Sequence, residues 1–345
     1  MFQNLRKSKK LLLIAMTCAT FAIAGCGSDT TKTTGDNGTS VTWSETFDGT
    51  KTDFAVKSSP THAVSMSQAT TEMMLQLGLE DKMAGTAFKE EEIYPPLQAS
   101  YDKVKVLAEK WPSYEVFMSV KPDFATGWPD SFSKRAIPAD KMIAQKVNIW
   151  LPESMLSTKA DLETNFSDMI KLGEIFGVKA KAEEWVAGQR KTLEAIQAKL
   201  KDLPRKRVFI YDSEDGQPFT AFEGYTTNIL KLIGADNVMS GLGVDKTWAK
   251  GSWETVIAQN PDYIIIADYG TSIRNDDDFQ QKIEKIKANP QLQDITAVKE
   301  GHFIRVKLSE ITPGVRTVDA LKRLAEEIHG VKICLLYTSP SPRDS

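Results

Sequence analysis

One short pattern occurs in each half of this 345-residue chain and constrains its fold more than any single residue does. The two copies are Tyr114-Glu115 followed by Pro122-Asp123-Phe124, and Trp253-Glu254 followed at the same spacing by Pro261-Asp262-Tyr263. Residues 70–78 and 226–234 also match in pattern and precede these copies in the same order. A repeat offset by about half the chain, rather than by ~20–50 residues as in a solenoid, predicts two similar lobes with a ligand-binding cleft between them.

The first residues indicate export and lipidation. Residues 1–25 combine four cations at positions 6–10 with an apolar run too short for a transmembrane helix, which is the pattern of a signal peptide. Small residues directly before Cys26 resemble the lipobox of bacterial lipoproteins, so we expect lipid on Cys26 to anchor the protein to the outer face of the bacterial cytoplasmic membrane. The alternative is a stray cysteine of the leader. Residues 26–40 contain almost no apolar side chains and predict a flexible tether.

The last residues resemble a translated transposon adapter from DNA library preparation. This segment covers residues 334–345, and we expect it to be a sequencing artefact, with the genuine C-terminus missing. The alternative is an ordinary disordered tail.

Several classes of function are excluded by the positions of the cysteines and histidines and by the net charge. The three cysteines lie in the signal peptide, at the lipidation site and in the expected sequencing artefact. We therefore predict that the folded part of the chain has no disulfide, thiolate metal site or cysteine nucleophile. The net charge is −3 and becomes more negative without the cations of the leader, which gives no basis for nucleic-acid binding. His62, His302 and His329 lack metal-ligand or base–nucleophile spacing, so we predict a binding protein without cofactor or metal ion of its own, and not an enzyme.

Strand and helix patterns alternate through the body of the chain. Largely apolar runs such as residues 207–211 and 263–267 are typical of strands in parallel sheets. We therefore predict an α/β fold of two lobes, each with a mostly parallel central sheet flanked by helices. The N-terminal lobe is predicted over 41–157, a helical connection over 158–203, and the C-terminal lobe over 204–333.

The helical connection has two recognisable parts. Thr158 with Asp161 predicts a capping box at the start of one helix. A second helix is predicted from Lys179 to about Leu200, and a helix of this length spans roughly 33 Å, enough to join the lobes. The alternative is a helix packed within one lobe.

Over about residues 55–330 the chain resembles the solute-binding proteins of bacterial ABC importers for iron-siderophore complexes and cobalamin. The most specific segments are residues 58–66 running into Thr71-Glu72, Glu115 with residues 121–123, and Glu254 with residues 260–262. The resemblance implies a monomer whose two lobes, joined by a single helix, capture a ligand and move little. It also implies docking to a membrane permease, which works with an ATPase, through one glutamate of each lobe. By motif position these are Glu115 and Glu254, with a solvated carboxylate at a helix start as the alternative.

The resemblance places ligand contacts on loops that face the cleft. The candidates are Trp111, Trp128, Phe219, Tyr225, Trp248, Tyr269 and Arg316. Phe219 and Tyr225 are expected in the loop that opens the second lobe. Local core packing is the alternative for each aromatic residue, and an ion pair with Asp319 or Glu310 is the alternative for Arg316.

The predicted function is capture of a metal chelate in the cleft. A ferric siderophore is the first choice, cobalamin the second and haem the third, with Tyr225 or Tyr269 as haem ligands. Two alternatives from other classes stay open. One is a chelatase-like enzyme, because bilobal α/β folds also host such activities, and the other is an interaction lipoprotein without a small ligand.

Overall fold

The computed structural model describes residues 40–269 and 278–334. The predicted signal peptide, Cys26, the tether as far as residue 39 and the tail from residue 335 lie outside the described residues. Within the two described ranges, no helix is both long and apolar enough to cross a membrane.

Short strands alternate with helices along the described chain. The strands are β1 (Val41–Phe47), β2 (Thr50–Val56), β3 (Ala63–Ser65), β4 (Met83–Ala87), β5 (Val106–Ala108), β6 (Phe124–Thr126), β7 (Asn148–Trp150), β8 (Lys206–Tyr211), β9 (Ser213–Asp215), β10 (Gln217–Ala221), β11 (Ala235–Asn237), β12 (Trp248–Lys250), β13 (Tyr263–Ala267) and β14 (Phe303–Val306). The helices are α1 (Gln68–Gln76), α2 (Gln98–Tyr101), α3 (Tyr114–Ser119), α4 (Ala139–Ala144), α5 (Leu162–Ile175), α6 (Lys179–Leu200), α7 (Tyr225–Lys231), α8 (Trp253–Gln259), α9 (Asp278–Ala288), α10 (Thr296–Glu300), α11 (Leu308–Ile311) and α12 (Thr317–His329).

Each lobe is built around one parallel sheet. The strand order is β5-β4-β3-β6-β7 in the N-terminal lobe and β11-β8-β13-β14 in the C-terminal lobe, and every neighbouring pair is parallel. Strand β13 shows why the sequence pattern was informative, because Ile264, Ile265 and Ile266 are all fully buried. Apolar side chains on both faces of a strand require cover on both faces of its sheet. The predicted α/β fold class is confirmed.

The sequence repeat is also a repeat of structure. The order β4-β3-β6-β7 in the first lobe corresponds to β11-β8-β13-β14 in the second, with β5 as an additional edge strand. The matching helices α1 and α7 both run into a glycine with left-handed backbone, Gly78 at φ +65° and Gly234 at φ +70°. Glycine adopts this conformation without the steric cost that a Cβ imposes, so both helices end within one residue of the same place in the repeat.

The repeated Pro-Asp doublets tie neighbouring strands together. The Asp123 carboxylate accepts hydrogen bonds from the backbone N–H groups of Thr61 (2.8 Å) and His62 (3.0 Å), just before β3. The Asp262 carboxylate accepts one from the backbone N–H of Arg207 (2.8 Å) in β8. Asp123 directly precedes β6, which pairs with β3, and Asp262 directly precedes β13, which pairs with β8. The doublets therefore have a structural role in both lobes.

An antiparallel hairpin of β1 and β2 packs against β7 at the edge of the N-terminal sheet. The Trp43 indole N–H donates to the carbonyl of Ile149 (2.7 Å), and its ring stacks on Phe54 at 5.7 Å between centroids. The buried Glu45 carboxylate accepts from the backbone N–H of Leu151 (2.9 Å). These contacts attach the start of the described chain to the lobe.

The joining helix α6 has the predicted bounds, Lys179–Leu200. It packs against α5 on one side and against α12 of the C-terminal lobe on the other. The predicted capping box was wrong in its partners. The box at the start of α5 is formed by Asp161 and Thr164, because the Asp161 carboxylate accepts from the Thr164 backbone N–H (2.9 Å) and the Thr164 hydroxyl accepts from the Asp161 backbone N–H (3.2 Å).

One apolar core runs through both lobes. One face of each parallel sheet packs into this shared cluster, which includes Met73 and Phe124 from the first lobe and Ile210 and Leu324 from the second. The opposite faces pack into separate clusters, one in each lobe. Separation of the lobes would expose part of the shared cluster to water, at a cost of roughly 25 cal/mol for each Å² of apolar surface.

Candidate functional site

Loops from both sheets meet between the lobes and enclose a small cavity. The loops follow the carboxyl ends of β3, β4 and β6 in the first lobe and of β13 and β14 in the second, the edge at which open α/β sheets bind ligands. The cavity has a volume of about 30 Å³. We call it the inter-lobe cavity, and it is lined by Gln68, Ala69, Glu90, Glu91, Trp128, Tyr269, Leu308, Ser309 and Thr312.

A single glutamine fixes the loop that carries the carboxylates. The side-chain carbonyl of Gln68 accepts from the backbone N–H groups of Glu90 (2.9 Å) and Glu91 (2.8 Å). Its amide nitrogen donates to the Glu72 carboxylate (3.0 Å) and to the backbone carbonyl of Glu92 (3.1 Å). Gln68 is buried, so these bonds form away from water and hold both glutamates at the cavity wall.

Arg316 joins the second lobe to the carboxylates of the first. Its guanidinium forms a two-pronged ion pair with Glu72, in which Nε donates to Oε2 at 2.8 Å and Nη2 donates to Oε1. Nη1 lies 3.4 Å from the Glu91 carboxylate, and Nη2 also donates to the backbone carbonyl of Glu92 at 2.7 Å. Only 5% of Arg316 is exposed. The partners that the sequence suggested for an ion pair, Asp319 and Glu310, were wrong, because the carboxylates come from the other lobe.

The glutamates at the cavity wall resist ionisation. Burial raises the pKa of Glu90 to about 7, against the lowering effect of the hydrogen bond from the Trp128 indole. Burial also raises the pKa of Glu91 to about 7, although Arg316 and Lys307 act in the opposite direction. Both groups therefore exchange protons near neutral pH, which is unusual for carboxyl groups and is typical of functional sites.

Two of the predicted ligand residues line the cavity from opposite lobes. The Trp128 indole N–H donates to the Glu90 carboxylate at 3.1 Å. The Tyr269 hydroxyl donates to the Asp212 carboxylate at 2.5 Å, and the Lys282 ammonium lies 4.8 Å from the centroid of the Tyr269 ring. Burial, followed by the charge of Asp212, raises the pKa of Tyr269. Trp128 and Tyr269 are the predicted ligand residues that the structure brings together at this cavity.

The other predicted aromatic residues have different surroundings. Trp111 stacks on Phe88 at 4.7 Å between centroids and donates to the carbonyl of Met66 (3.1 Å). Phe219 and Trp248 stack on each other in β10 and β12, so the prediction that Phe219 lies in a loop was wrong. Tyr225 begins helix α7 rather than lying in a loop, and its buried hydroxyl shares a 2.7 Å hydrogen bond with Thr317. Neither these residues nor Arg316 lines the inter-lobe cavity, and their ligand contacts stay predictions.

The two predicted docking glutamates occupy equivalent positions at the starts of α3 and α8. Ser113 caps α3 by accepting from the Val116 backbone N–H (3.3 Å), and Ser252 caps α8 by accepting from the Thr255 backbone N–H (3.1 Å). Glu115 and Glu254 lie two positions after these caps and are both exposed. The Glu115 backbone N–H and the Ser113 hydroxyl lower the pKa of Glu115. An ionised carboxylate in the first turn also interacts favourably with the helix dipole.

The sequence also indicates the glutamates that line the cavity, Glu90 and Glu91, although the internal repeat does not include them. Lys89 is followed by three consecutive glutamates directly after β4, at the edge of the sheet that faces the cleft. An acidic run at that edge predicts a charged site, but no acidic run follows β11, the strand that corresponds to β4 in the second lobe. In the described residues, no group of three or more histidine, cysteine or acidic side chains is arranged to hold a metal ion.

Comparisons with known proteins agree with this architecture. The family model described as "Periplasmic binding protein" matches residues 64–308. A crystal structure of a periplasmic binding protein from Veillonella parvula DSM 2008 is 95% identical, covers 86% of this chain and 100% of that one, and superposes with a TM-score of 0.84.

Two curated relatives are more distant. The uncharacterized ABC transporter substrate-binding lipoprotein YvrC of Bacillus subtilis (strain 168) is 25% identical, with 94% of this chain and 98% of the relative covered. A vitamin B12-binding protein of Vibrio vulnificus (strain YJ016) is 23% identical, with 78% of this chain and 90% of the relative covered. The chain belongs to the periplasmic binding protein family whose members serve ABC transporters as substrate-binding proteins.

Proposed function

We propose that this protein is a lipid-anchored, extracytoplasmic binding protein that captures a metal chelate between its lobes and delivers it to an ABC permease with its ATPase. Cys26 carries the lipid in this proposal, which the name of the Bacillus relative supports. The protein binds and releases its ligand without chemical change, so it is not an enzyme. It needs no cofactor and works as a monomer.

One observation carries the proposal. Each lobe presents an exposed glutamate at the second position after a serine cap, Glu115 on α3 and Glu254 on α8, and a cavity lies between the same two lobes. A permease with two complementary cationic patches would contact both lobes at once through these glutamates. Glu115 and Glu254 together could orient both lobes on the permease, which a single exposed carboxylate could not do.

A ferric siderophore is the ligand class that we propose first, and a hydroxamate rather than a catecholate. Catecholate complexes of ferric iron carry several negative charges, whereas trihydroxamate complexes are neutral or cationic. The cavity wall contains Glu90 and Glu91, and the Arg316 guanidinium beside Glu91 is also paired with Glu72. Carboxylates at the wall would repel an anionic complex.

Cobalamin is the second candidate, because the Vibrio relative is named as a vitamin B12-binding protein. Haem ranks third. Haem iron takes an axial side-chain ligand, and the two tyrosine hydroxyls considered for it have other partners, Thr317 for Tyr225 and Asp212 for Tyr269.

Uptake by the source bacterium tests the proposal. We expect deletion of the gene to abolish uptake of a radiolabelled ferric trihydroxamate, with cobalamin uptake measured in parallel. A plasmid copy should restore uptake, and a copy with Cys26→Ala should restore less, because the protein would no longer be held at the membrane. Unchanged uptake of both compounds in the deletion strain would contradict the proposed function.

A further inference from the structure

The repeated helices α3 and α8 differ in what they expose beside the glutamate of each lobe. Glu115 is followed by Val116, whereas Glu254 is followed by Thr255 at the matching position of the repeat. The side chain of Val116 is 41% exposed. The first lobe therefore presents an apolar side chain directly after its glutamate, and the second lobe presents a polar one.

The other large apolar side chains of α3 pack against the first lobe. Phe117 is fully buried, and Tyr114 and Met118 are half-buried against the apolar cluster that belongs to this lobe alone. A helix on the surface of a domain buries its apolar side chains and exposes its polar ones. Val116 departs from this pattern, because its apolar side chain lies on the solvent side of the helix.

The matching position of α8 supports the helix cap. The Thr255 hydroxyl shares a 2.9 Å hydrogen bond with the hydroxyl of Ser252, the cap residue, while Trp253 and Val256 are buried in the second lobe. The serine cap of α3 accepts from the Val116 backbone N–H in the same way as the cap of α8 accepts from Thr255. A threonine would therefore fit the cap of α3 as well, and the local backbone does not require valine there.

A second valine extends the apolar surface of α3. Val120 follows Val116 by four positions, which places it on the same side of the helix, and it is only half-buried. The matching residue of α8 is Gln259, whose side-chain oxygen accepts from the Arg207 guanidinium at 2.6 Å. The apolar surface thus occurs on the first lobe and is replaced by polar side chains on the second.

Charged side chains border the two valines. Glu115 directly precedes Val116, and Lys141 of α4 holds its ammonium group 5.8 Å from the centroid of the Tyr114 ring, in the same turn of α3. An apolar centre with a polar border is the usual composition of a protein–protein contact. The surface is continuous with Glu115, the residue proposed to contact the permease, so the permease is the partner that fits it.

We propose that Val116, with Val120 at its edge, is an apolar docking contact for the permease, which receives it in an apolar depression beside the cation that pairs with Glu115. This inference rests on the proposed function, because it describes one half of the same docking surface. The matching surface of the second lobe is polar, so the permease contacts the two lobes in different ways.

Substitution of the exposed valine tests the contact. Val116→Thr keeps the size of the side chain and reproduces the arrangement found in α8. Val106→Thr is the matched control, because Val106 is 50% exposed on β5 and lies outside the docking helices. Each full-length variant would be expressed from an inducible promoter in the source bacterium without its own copy of the gene. Uptake of a radiolabelled ferric trihydroxamate and of cobalamin would be measured against the amount of the protein in the membrane.

We expect cells with Val116→Thr to need roughly fivefold more protein than wild-type cells for half-maximal uptake, because an apolar side chain buried against the permease contributes to its affinity. Val106→Thr should need the wild-type amount. Val116→Ile stays apolar and should need no more than the wild-type amount. Neither the ligand affinity of the purified variants nor their midpoint of urea denaturation should change.

The other outcomes separate this contact from the proposed function. Uptake by Val116→Thr at the wild-type amount of protein would overturn the contact and leave the proposed function standing. An equal loss in Val106→Thr or in Val116→Ile, or a weaker affinity of purified Val116→Thr for the ligand, would also overturn it. If the wild-type gene supported uptake of neither compound, the proposed function and the contact would fall together.

Discussion

Arg316 forms buried ion pairs between the two lobes. Its guanidinium forms a two-pronged ion pair with Glu72, and both side chains are almost fully buried, at 5% and 2% exposed. A buried ion pair contributes little net stability compared with apolar residues of similar volume, but loss of one partner leaves the other charge unpaired away from water. The pair therefore fixes the spacing of the lobes more than it stabilises them.

We expect Arg316→Met to lower the free energy of unfolding by about 3–5 kcal/mol, because Glu72 would remain buried without its partner. The double variant Arg316→Met with Glu72→Met should recover most of this loss. Arg135→Met is the control, since Arg135 pairs with Asp130 on the surface and should change stability by less than about 1 kcal/mol. Urea denaturation measures all three. A double variant as unstable as the single one would contradict the role of the unpaired carboxylate.

The sequence could not identify the partner of Arg316. Glu72 lies 244 positions earlier in the chain and is brought close only by the docking of the lobes. Asp319 and Glu310, which are nearer in sequence, were the alternative partners, but Asp319 accepts a hydrogen bond from the Tyr94 hydroxyl and Glu310 pairs with Arg323. Trp128 and Tyr269 were identifiable because each follows a buried strand at the cleft edge of its sheet.

Among the elements, α3 and α8 form the proposed docking surface. Both helices are short, serine-capped and followed by a Pro-Asp doublet, and both present an exposed glutamate in the first turn. Their equivalent positions in the two sheets come from the internal repeat.

We expect the double variant Glu115→Ala with Glu254→Ala to abolish ligand uptake in cells while ligand affinity measured on the purified protein stays unchanged. The reason is that the two carboxylates contact the permease and not the ligand. Glu183→Ala with Glu194→Ala removes the same charge from exposed positions on α6 and should leave uptake intact. Wild-type uptake by the Glu115 and Glu254 double variant would refute the docking assignment.

The β1–β2 hairpin carries a carboxyl group whose ionisation opposes folding. Burial raises the pKa of Glu45 to about 7 in the folded protein, and Glu153 and Asp168 add to this shift. The unfolded chain has the ordinary value near 4.5, so the folded state binds the proton more tightly. The stability that this proton gives is complete below about pH 4.5 and is lost as pH rises towards 7.

We expect Glu45→Gln to flatten the decline in stability between pH 5 and pH 7. The single carboxyl group of Glu45 accounts for at most about 1.4 kcal/mol per pH unit in this range, and glutamine keeps the acceptor for the Leu151 N–H. Urea denaturation at several pH values measures the slope. Glu109→Gln should keep the wild-type slope, and the same slope in Glu45→Gln would show that Glu45 does not titrate as described.

Elements were predictable where the pattern was long or fully apolar. The bounds of α6 and β13 agree with the predicted ranges, because a 22-residue helical period and a run of isoleucines have few alternatives. The β1–β2 hairpin was not identified, and β10 and β12 were mistaken for loops. β10 and β12 are only five and three residues long, β2 does not alternate polar and apolar residues, and the pairing of these strands is set by tertiary contacts.

At the scale of the whole molecule, the duplicated fold places the same sheet edge of each lobe on one cleft. The shared apolar cluster, helix α6 and the Arg316–Glu72 pair all connect the lobes. These connections favour capture of a ligand with little movement between the lobes. The repeat predicted the two lobes and their cleft, but it did not predict the glutamates of the cavity lining, Glu90 and Glu91, which follow β4 of the first lobe.

The most direct test of the central claim, capture of a metal chelate in the cleft, is a titration of the purified protein followed by tryptophan fluorescence. The ligands are a ferric trihydroxamate, a ferric tricatecholate, cobalamin and haem, with free tryptophan as the control for light absorption by the ligand. We predict saturable one-to-one quenching by the trihydroxamate, with weaker quenching in Trp128→Phe because Trp128 lines the cavity. Absence of saturable quenching by every compound would contradict the account.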